Sequence, residues 1–310
     1  MKTTPELLVT PAKAEQISSL IKAGATAFLI GEQKFGLRLA GEFPKEEITK
    51  AVQLAHQGGA KIFAAMNAIF HNDMVPELGS YLSFLKEAGV DAVVFGDPAV
   101  LMEARESAPD MPLHWSTETT GTNHFSCNYW GKKGAKRAVL AKELSLDSVL
   151  EIKEKAEVEI EIQVHGMTCM FQSKRSLIGN YFEYQGKTMN IEGDKKESGM
   201  FLHDKERNYK YPIFEDVNGT HIMSPNDVCM IDELGDFIDA GIDSFKIDGI
   251  LKSHDYLLEV TRMYREAIDL YMADPDEYEN RKDAWVEKIE SIQPVNRNID
   301  TGFFFKETVY

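Results

Sequence analysis

Short apolar segments alternate with amphipathic segments along most of the chain. Eight stretches of five to seven residues are rich in apolar residues, and most of the segments between them carry apolar residues at helical spacing. The predicted strands cover residues 6–10, 27–31, 61–67, 91–96, 112–117, 137–141, 161–166 and 244–249. This alternation predicts an α/β fold, and eight strands favour a TIM-like (β/α)8 barrel over a doubly wound open sheet.

The joints between predicted helices and strands share one short phrase. Residues 23–27, 88–92 and 240–244 each begin with Ala-Gly, after an amphipathic segment and before an apolar strand. A glycine just past a helix end commonly takes the left-handed conformation and turns the chain toward the next element. The phrase therefore predicts three helix-to-strand joints. After the last predicted strand, residues 254–273 are predicted to form an amphipathic helix.

The interval between the seventh and eighth predicted strands is too long for one helix. It contains Asn218-Gly219 between two alternating segments, a strong signal for a β-hairpin with a type I′ turn. We predict a small antiparallel β insertion at 167–225, placed over the face of the barrel that carries active sites; the alternative is a decorative or dimer-forming insertion. The barrel would comprise 1–166 and 226–273, followed by a C-terminal helical extension and tail at 274–310.

Polar and apolar residues alternate in the last two barrel strands. The polar positions are Glu161, Gln163 and His165 in the seventh strand and Lys246 and Asp248 in the eighth. Because the helix-facing side of a barrel strand must be apolar, the polar set is predicted to point into the lumen and to form a site there. The structural alternative is a self-satisfied buried network in which Lys246 neutralises Glu161 or Asp248.

Further polar residues follow the other predicted strands. Each of them could instead cap a helix or stabilise a turn. Arg38 is the most informative, because a guanidinium at a barrel mouth suits a carboxylate by bidentate hydrogen bonding and so indicates an anionic organic substrate. The candidates are Glu32 and Arg38 after the second strand, Asn67 after the third, Asp97 after the fourth, and Ser116, Thr117 and Glu118 at the fifth.

Composition and charge narrow the function classes. The formal net charge of −16 opposes direct binding of a polyanion, so contact with RNA needs a local basic patch or a partner chain. The first residues lack the apolar core of a signal peptide, and no stretch approaches the roughly 18 apolar residues of a membrane span, which predicts a cytoplasmic protein. The three cysteines are too few for a disulfide framework.

Cys169 is open to three interpretations: a nucleophile, a ligand of a metal cluster, or a packing residue. A nucleophilic thiol needs a nearby imidazole, which His165 could supply if the chain turned, and which His124, His221 or His254 could equally supply. A lone buried cysteine is more often inert. The sequence contains neither a Gly-x-Ser-x-Gly elbow nor a His-Glu-x-x-His helix, so serine-hydrolase and zinc-protease mechanisms lack support.

Three segments carry a resemblance to a known family. Residues 165–182, 224–253 and 137–146 resemble the collagenase-like bacterial peptidase family of unassigned catalytic type, whose members are also known as prephenate-dependent tRNA wobble-uridine hydroxylases. The resemblance covers most of the chain. It implies a TIM-like barrel, in agreement with the strand count, and either tRNA hydroxylation or peptidase activity.

The chain departs from the family's cysteine signature. Glu161, Gly166 and Cys169 match it, whereas Gln163, Lys174 and Ser176 stand where Phe, Gly and a second Cys are expected. The resemblance implies an iron–sulfur cluster held by this region and by the position of Cys229. A cubane cluster needs four thiolates, and the chain has three cysteines, so it is not expected to hold such a cluster alone. Cys169 and Cys229 then remain candidate ligands shared with another subunit.

The leading hypothesis is a role in prephenate-dependent hydroxylation of the tRNA wobble uridine, as partner of a cluster-bearing paralogue or as a homodimer. Arg38, Lys246 and Arg137 would bind a dicarboxylate such as prephenate in the lumen, with Asn67, Asp97 and Ser116 as further binding residues. Glu161, His165 and Asp248 would orient it or move protons. A collagenase-like peptidase using Cys169 is the first alternative, and a non-catalytic binding subunit is the second.

Overall fold

A computed structural model describes residues 3–116, 120–187, 199–295 and 297–306 of the 310-residue chain. Within these ranges the fold has two sheets and a layer of helices. The strands are β1 (Glu6–Val9), β2 (Ala27–Ile30), β3 (Lys61–Met66), β4 (Ala92–Phe95), β5 (Leu113–Ser116), β6 (Ala135–Val139), β7 (Glu159–Gly166), β8 (Cys169–Ser173), β9 (Phe201–Asp204), β10 (Tyr209–Asp216), β11 (Gly219–Met223), β12 (Asp227–Cys229), β13 (Ser244–Ile247) and β14 (Ile299–Asp300).

Eight parallel strands close into a barrel. Strands β1 to β7 pair in sequence order, and β13 pairs in parallel with both β7 and β1. Because β13 joins the two ends of the sheet, the barrel is closed and the doubly wound open sheet is excluded. The predicted (β/α)8 architecture is confirmed, and each predicted strand overlaps one of the eight observed barrel strands.

Helices surround the barrel and cover its apolar outer face. Residues such as Val9, Phe28, Ile62 and Phe245 point outward from the strands and are buried under this helical layer. The helices are α1 (Ile17–Lys22), α2 (Lys45–Gln57), α3 (Val75–Ala88), α4 (Pro98–Ser107), α5 (His124–Lys132), α6 (Leu146–Lys155), α7 (Leu177–Tyr184), α8 (Leu234–Asp239), α9 (His254–Ala273) and α10 (Pro275–Ile292). The helix predicted at 254–273 coincides with α9. Among the described residues, no helix combines the length and the apolar character needed to cross a bilayer.

The three Ala-Gly joints behave as predicted. Gly24, Gly89 and Gly241 have φ angles of 108°, 85° and 76°, and each lies between a helix and the following strand. These positive φ values are easy for glycine and costly for residues with a Cβ atom. The repeated phrase is therefore a backbone requirement of the barrel rather than a binding motif.

An antiparallel sheet is inserted between β7 and β13, as predicted. Its strand order is β8-β11-β10-β9, with α7 between β8 and β9. The predicted hairpin is the β10–β11 pair, in which Asp216 faces Gly219. The predicted type I′ turn is wrong, because the residues between the paired positions are Val217 and Asn218 and neither has a positive φ. Gly219 has a φ of 102°, and a Cβ atom there would collide with the Ser173 carbonyl oxygen.

Asn218 fastens the insertion to the barrel. Its side-chain amide is buried and donates hydrogen bonds to the carbonyl oxygens of Gln33 at 2.7 Å and Gly36 at 3.3 Å, both in the loop after β2. The Lys174 ammonium donates to the Ile69 carbonyl oxygen in the loop after β3 at 3.4 Å. These contacts hold the inserted sheet over the carboxyl ends of the barrel strands.

The C-terminal segment is tied to the barrel by strands and by buried charge. Strand β12 pairs antiparallel with the end of β7, and β14 pairs in parallel with β12. The Asp227 carboxylate, which is fully buried, forms ion pairs with Lys252 from the loop after β13 and with Arg297 from the segment before β14. One carboxylate therefore joins three segments that are distant in sequence.

Candidate functional site

The barrel lumen is largely filled. An apolar cluster of Leu8, Ala27, Phe63, Ala92 and Val94 occupies its lower part. Above it lies a cavity of about 20 Å³, whose lining includes Glu161, Gln163 and Lys246. That volume suits roughly one water molecule, not an organic dicarboxylate. The alternation of Glu161, Gln163 and Lys246 into the lumen is as predicted, but the predicted dicarboxylate site inside the lumen is wrong, because there is no room for it.

A cleft much larger than this cavity lies at the mouth of the barrel, between the barrel and the insertion. It has a volume of about 470 Å³, within the range of small-molecule sites. We call it the mouth cleft. Its lining comprises Leu37, Arg38, Asn67, Ala68, Ile69, Gly96, Asp97, Pro98, Ser116, Lys142, Glu143, Cys169, Met170, Phe171 and Gln172. The structure thus brings five of the predicted site residues to one place: Arg38, Asn67, Asp97, Ser116 and Cys169.

Two cations and two carboxylates set the charge of the mouth cleft. Arg38 has a φ of 52°, an uncommon conformation for a residue other than glycine, and such conformations concentrate at functional sites. Lys142 lines both the mouth cleft and the small cavity below it. Asp97 and Glu143 supply the negative charges. Sequence reasoning missed Lys142, because it lies beyond the end of β6 in a loop without a distinctive pattern.

Asp97 and Asn67 form structural hydrogen bonds at the mouth. The Asp97 carboxylate caps α4 by accepting a hydrogen bond from the Ala99 amide at 2.9 Å, and it also accepts one from the Phe70 amide at 3.3 Å. The Asn67 side-chain oxygen accepts a hydrogen bond from the Leu37 amide at 2.9 Å. The helix-cap alternative therefore applies to Asp97. Asn67 holds the loop that carries Arg38.

Lys246 and Asp248 form the neutralising pair that the structural alternative required. Their ammonium nitrogen and carboxylate oxygen are 3.0 Å apart. The Asp248 carboxylate also accepts hydrogen bonds from the Ile250 amide at 3.0 Å and from the Thr10 hydroxyl at 3.3 Å. Burial by itself would raise the pKa of Asp248, but the charges of Lys246 and Lys142 hold that pKa below its ordinary value. Asp248 is therefore an ionised anchor.

Arg137 lies at the opposite end of the barrel from the mouth cleft. Its guanidinium pairs with Glu6 at 2.6 Å, Glu159 at 2.8 Å and Glu161 at 3.1 Å. Burial would lower the pKa of Arg137, but the three carboxylates raise it above its ordinary value, so the guanidinium stays charged. The predicted role of Arg137 in binding a dicarboxylate is wrong, because these carboxylates already surround it. Glu161 is likewise committed to this ion pair.

His165 does not point into the lumen, contrary to the prediction. The β7–β13 register places Gln163 opposite Lys246 and His165 opposite Ile247, so Val164 is an extra residue that reverses the alternation. The His165 ring instead contacts α9, with Nε2 at 2.7 Å from the Tyr256 hydroxyl and Nδ1 at 3.4 Å from the Tyr264 hydroxyl. Burial lowers the pKa of His165 to about 3, so the ring is neutral.

We expect His165 to make the fold sensitive to mild acid. The unfolded chain binds a proton near the ordinary histidine pKa of about 6.5, whereas the folded chain does not until about pH 3, so stability is lost as the pH falls between these values. From about pH 7 to about pH 5 the loss is about 2 kcal/mol of unfolding free energy. Urea unfolding of the wild type and of His165→Gln at both pH values measures it.

The loss of unfolding free energy between pH 7 and pH 5 should be smaller by about 2 kcal/mol in His165→Gln than in the wild type. The loss that remains comes from other groups such as His114, whose pKa is also lowered by burial. His71→Gln is the matched control, because His71 is exposed and its replacement should leave the pH dependence unchanged. Equal pH dependence in the wild type and in His165→Gln would contradict the neutral, buried assignment.

The histidine beside Cys169 is His221. Its Nε2 lies 3.0 Å from the Asp216 carboxylate, and its Nδ1 is buried. Burial by itself would lower the pKa of His221, but hydrogen bonding to Asp216 and Cys169 and the charge of Asp216 raise it above its ordinary value. His221 was one of four open choices in the sequence, and Asp216 was missed because only the hairpin places it next to the ring.

The cysteines do not form a cluster site in the described part of the chain. Cys127 and Cys229 are buried in the apolar core, where burial raises the pKa of Cys127 to about 11 and that of Cys229 to about 12. Cys169 lines the mouth cleft instead. Among the described residues, no group of three His, Cys, Asp or Glu side chains is arranged to hold a metal ion. The side chains present therefore do not fit an iron–sulfur cluster held by this chain alone.

Three other candidates fall outside the mouth cleft or outside the described residues. Glu32 is absent from the lining of the cleft, and burial raises the pKa of its carboxyl group. Thr117 and Glu118 lie outside the described residues.

Fold and cleft together define a TIM-like barrel protein with a small-molecule cleft under an inserted β sheet. A family model described as "Peptidase family U32" matches residues 12–309. The chain belongs to this family, which confirms the resemblance inferred from the sequence.

Two relatives support this assignment, and one solved structure shares the fold. The chain is 76% identical over 306 residues to tRNA hydroxylation protein P2 of Bacillus subtilis (strain 168), covering 99% of both chains. It is 33% identical over 301 residues to tRNA hydroxylation protein P1 of the same strain, covering 97% of this chain and 71% of that one. A dihydrodipicolinate synthase, DapA-2 from Bacillus anthracis, superimposes with a TM-score of 0.52 at 10% identity, over 95% of this chain and 85% of that one, and agrees in fold alone.

Proposed function

We propose that this cytoplasmic protein takes part in prephenate-dependent hydroxylation of the tRNA wobble uridine, as partner of a cluster-bearing paralogue. The observation that carries the proposal is the mouth cleft, with Arg38 and Lys142 in its lining, in a chain 76% identical to tRNA hydroxylation protein P2. The cleft volume of about 470 Å³ suits an organic molecule of the size of prephenate.

Prephenate carries two carboxylates, and the mouth cleft offers two cationic side chains. The Arg38 guanidinium would bind one carboxylate in a bidentate manner, and the Lys142 ammonium would bind the other. Ser116 and Asn67 line both the mouth cleft and the small cavity below it, so they would contact the part of the ligand nearest the barrel axis. In this arrangement Lys246 and Asp248 support the floor of the site and do not touch the ligand.

A second subunit would supply the cluster. The three cysteines cannot complete a four-thiolate cubane, and two of them are buried in the core. The strain that encodes tRNA hydroxylation protein P2 also encodes protein P1, which is longer than this chain and similar to it over most of its length. We therefore take a P1-like paralogue as the partner.

A groove beside the mouth cleft is suited to a nucleotide base. Its lining includes Tyr209, Tyr211 and Phe303 together with Arg207 and Lys306, and its volume is about 200 Å³. Aromatic rings stack on unpaired bases, and the cations meet the phosphates. Met170 lines both this groove and the mouth cleft, so a base held in the groove would lie next to the cleft. The insertion at 167–225 has eight basic and eight acidic residues, so it does not share the net negative charge of the whole chain.

We expect Tyr209→Ala to weaken tRNA binding by about 10-fold, since stacking of one base contributes roughly 1–3 kcal/mol. Arg207→Ala should weaken binding less and should reduce its salt dependence. Filter binding of the protein–paralogue complex to an anticodon stem-loop at several salt concentrations measures both effects.

Lys210→Ala is the matched control, because Lys210 is the residue after Tyr209 on β10, points to the opposite face and lies over the Phe201 ring. Loss of binding in Lys210→Ala but not in Tyr209→Ala would contradict this groove as the RNA contact.

Gene deletion tests the proposed function as a whole. Hydroxylated wobble uridine should disappear or fall sharply in tRNA from the deletion strain, as measured by nucleoside mass spectrometry, and the wild-type gene should restore it. The protein should co-purify with a paralogue, and iron and sulfide should follow the paralogue. Unchanged hydroxylation in the deletion strain would refute the proposal.

A further inference from the structure

Cys169, His221 and Asp216 belong to the inserted sheet and meet at its barrel-facing side. The register pairs Met223 with Cys169 and Phe214 with His221, so these four side chains lie on one face of the sheet. Cys169 and Met223 pack with Met167 and Ile250 from the barrel loops, which shows that this face covers the mouth. Cys169 and His221 are diagonal neighbours on β8 and β11, within reach of each other's side chains.

The His221 ring is held in one orientation and one tautomer. Its Nε2 donates a hydrogen bond to the Asp216 carboxylate at 3.0 Å, and the ring stacks on Phe214 with centroids 5.0 Å apart. Both His221 and Asp216 side chains are almost completely buried. With its proton on Nε2, the ring presents the buried Nδ1 lone pair, and Cys169 is the other hydrogen-bonding partner of the ring besides Asp216. A neighbouring thiol can supply the missing proton.

Cys169 differs from the other two cysteines in being open to the mouth cleft. Its side chain is partly exposed, lines the same cleft as Arg38, and donates a weak hydrogen bond to the Phe171 carbonyl oxygen at 3.3 Å. The nucleophile Cys169 therefore neighbours the base His221, which in turn contacts the orienting group Asp216, as in other nucleophile–base–acid arrangements.

We propose that Cys169 is a covalent nucleophile of the mouth cleft, that His221 takes its proton, and that Asp216 orients His221. The electrophile that fits is an anionic α-keto acid, whose carboxylate would meet Arg38. The sulfur forms a bond to the keto carbon, the π electrons of the C=O bond move to oxygen, and that oxygen takes the proton from His221. The product is a hemithioketal, and no oxidant is required. Only the choice of electrophile rests on the proposed function, because prephenate is an α-keto acid.

Alkylation at one fixed neutral pH tests the nucleophile without tRNA or paralogue. Sulfur displaces iodide from iodoacetate or iodoacetamide, and peptide mass spectrometry gives the rate at each cysteine. We expect Cys169 to react while Cys127 and Cys229 remain unmodified in the folded protein. Iodoacetate should react at Cys169 faster than expected from its rate with free cysteine, and Arg38→Ala should remove that advantage.

His221→Asn and Asp216→Asn should each slow the alkylation of Cys169 by about tenfold or more with both reagents. His203→Asn is the matched control, because His203 is an exposed histidine of the same inserted sheet and its replacement should leave the rate unchanged. Circular dichroism of each variant checks the fold, and His221→Gln provides a second variant if His221→Asn does not fold. A wild-type rate in a folded His221 variant would overturn the proposal.

The electrophile class has its own test. Phenylpyruvate should protect Cys169 from alkylation, whereas phenyllactate, which has a hydroxyl group in place of the keto group, should protect much less. Equal protection by both would overturn the hemithioketal step, and no protection by phenylpyruvate would overturn the α-keto acid. None of these measurements depends on tRNA hydroxylation. If tRNA hydroxylation were normal and Cys169 unreactive, the nucleophile proposed here would be refuted and the proposed function would stand.

Discussion

Asp227→Asn is expected to lower the free energy of unfolding by about 3–5 kcal/mol, because it leaves a buried ammonium without its counter-ion. The Asp227 carboxylate contacts Lys252, whose side chain is fully buried, and Arg297 at 2.5 Å. Burial lowers the pKa of Lys252, while Asp227 opposes that shift. Without Asp227 the folded state should favour neutral Lys252 even more strongly.

The same argument gives a pH signature. A lysine whose folded-state pKa is depressed destabilises the fold most at low pH, and stability is regained as the pH rises toward the unfolded pKa. The deficit of Asp227→Asn relative to the wild type should therefore shrink between neutral and alkaline pH, as measured by urea unfolding at each pH. Asp269→Asn is the control: Asp269 pairs with Arg265 near the surface and should contribute less than about 1 kcal/mol. Similar losses in both variants would contradict a special role for the buried cluster.

Arg38→Ala is expected to weaken prephenate binding on the order of 100-fold, since truncating one partner of a desolvated charge pair costs roughly 2–5 kcal/mol. Arg38→Lys should recover only part of the loss, because an ammonium cannot form the bidentate contact. Isothermal titration calorimetry with prephenate measures the affinity of the chain or of its complex with the paralogue. Replacing Arg38 should leave affinity for tRNA nearly unchanged.

Lys34→Ala is the control for Arg38. Lys34 belongs to the same loop but is absent from the lining of the mouth cleft, and its ammonium pairs with Glu77 at the surface. It should bind prephenate like the wild type. Equal weakening in Lys34→Ala and Arg38→Ala would indicate a general electrostatic effect and would remove the case for a specific site in the cleft.

The strands and joints of the barrel were predictable, because they depend on local periodicity and on glycine conformations. The alternation of Glu161, Gln163 and Lys246 into the lumen was also predictable from the two-residue period of a strand. The inversion at His165 was not, because the bulge at Val164 exists only in register with β13. A hydrophobicity pattern carries no information about such a register shift.

The candidate site was also predictable in part: its residues could be named from the sequence, but their common location could not. Arg38, Asn67, Asp97, Ser116 and Cys169 could be named from the sequence, because parallel strands bring the residues after their carboxyl ends to one rim. The sequence could not predict that these residues meet at the mouth rather than in the lumen. Their location depends on how far the lumen is filled by side chains from different strands.

By itself, the sequence determined the closed barrel, the inserted sheet and five of the rim residues, because these follow from local patterns and from chain connectivity, while its motifs carried the resemblance to the family. Only the tertiary structure decided that Arg137 pairs with three carboxylates far from the mouth, that His165 packs against α9, and that His221 and Asp216 accompany Cys169. These pairings join residues from separate elements. Their distances depend on register, bulges and side-chain packing, which no single segment of the chain encodes.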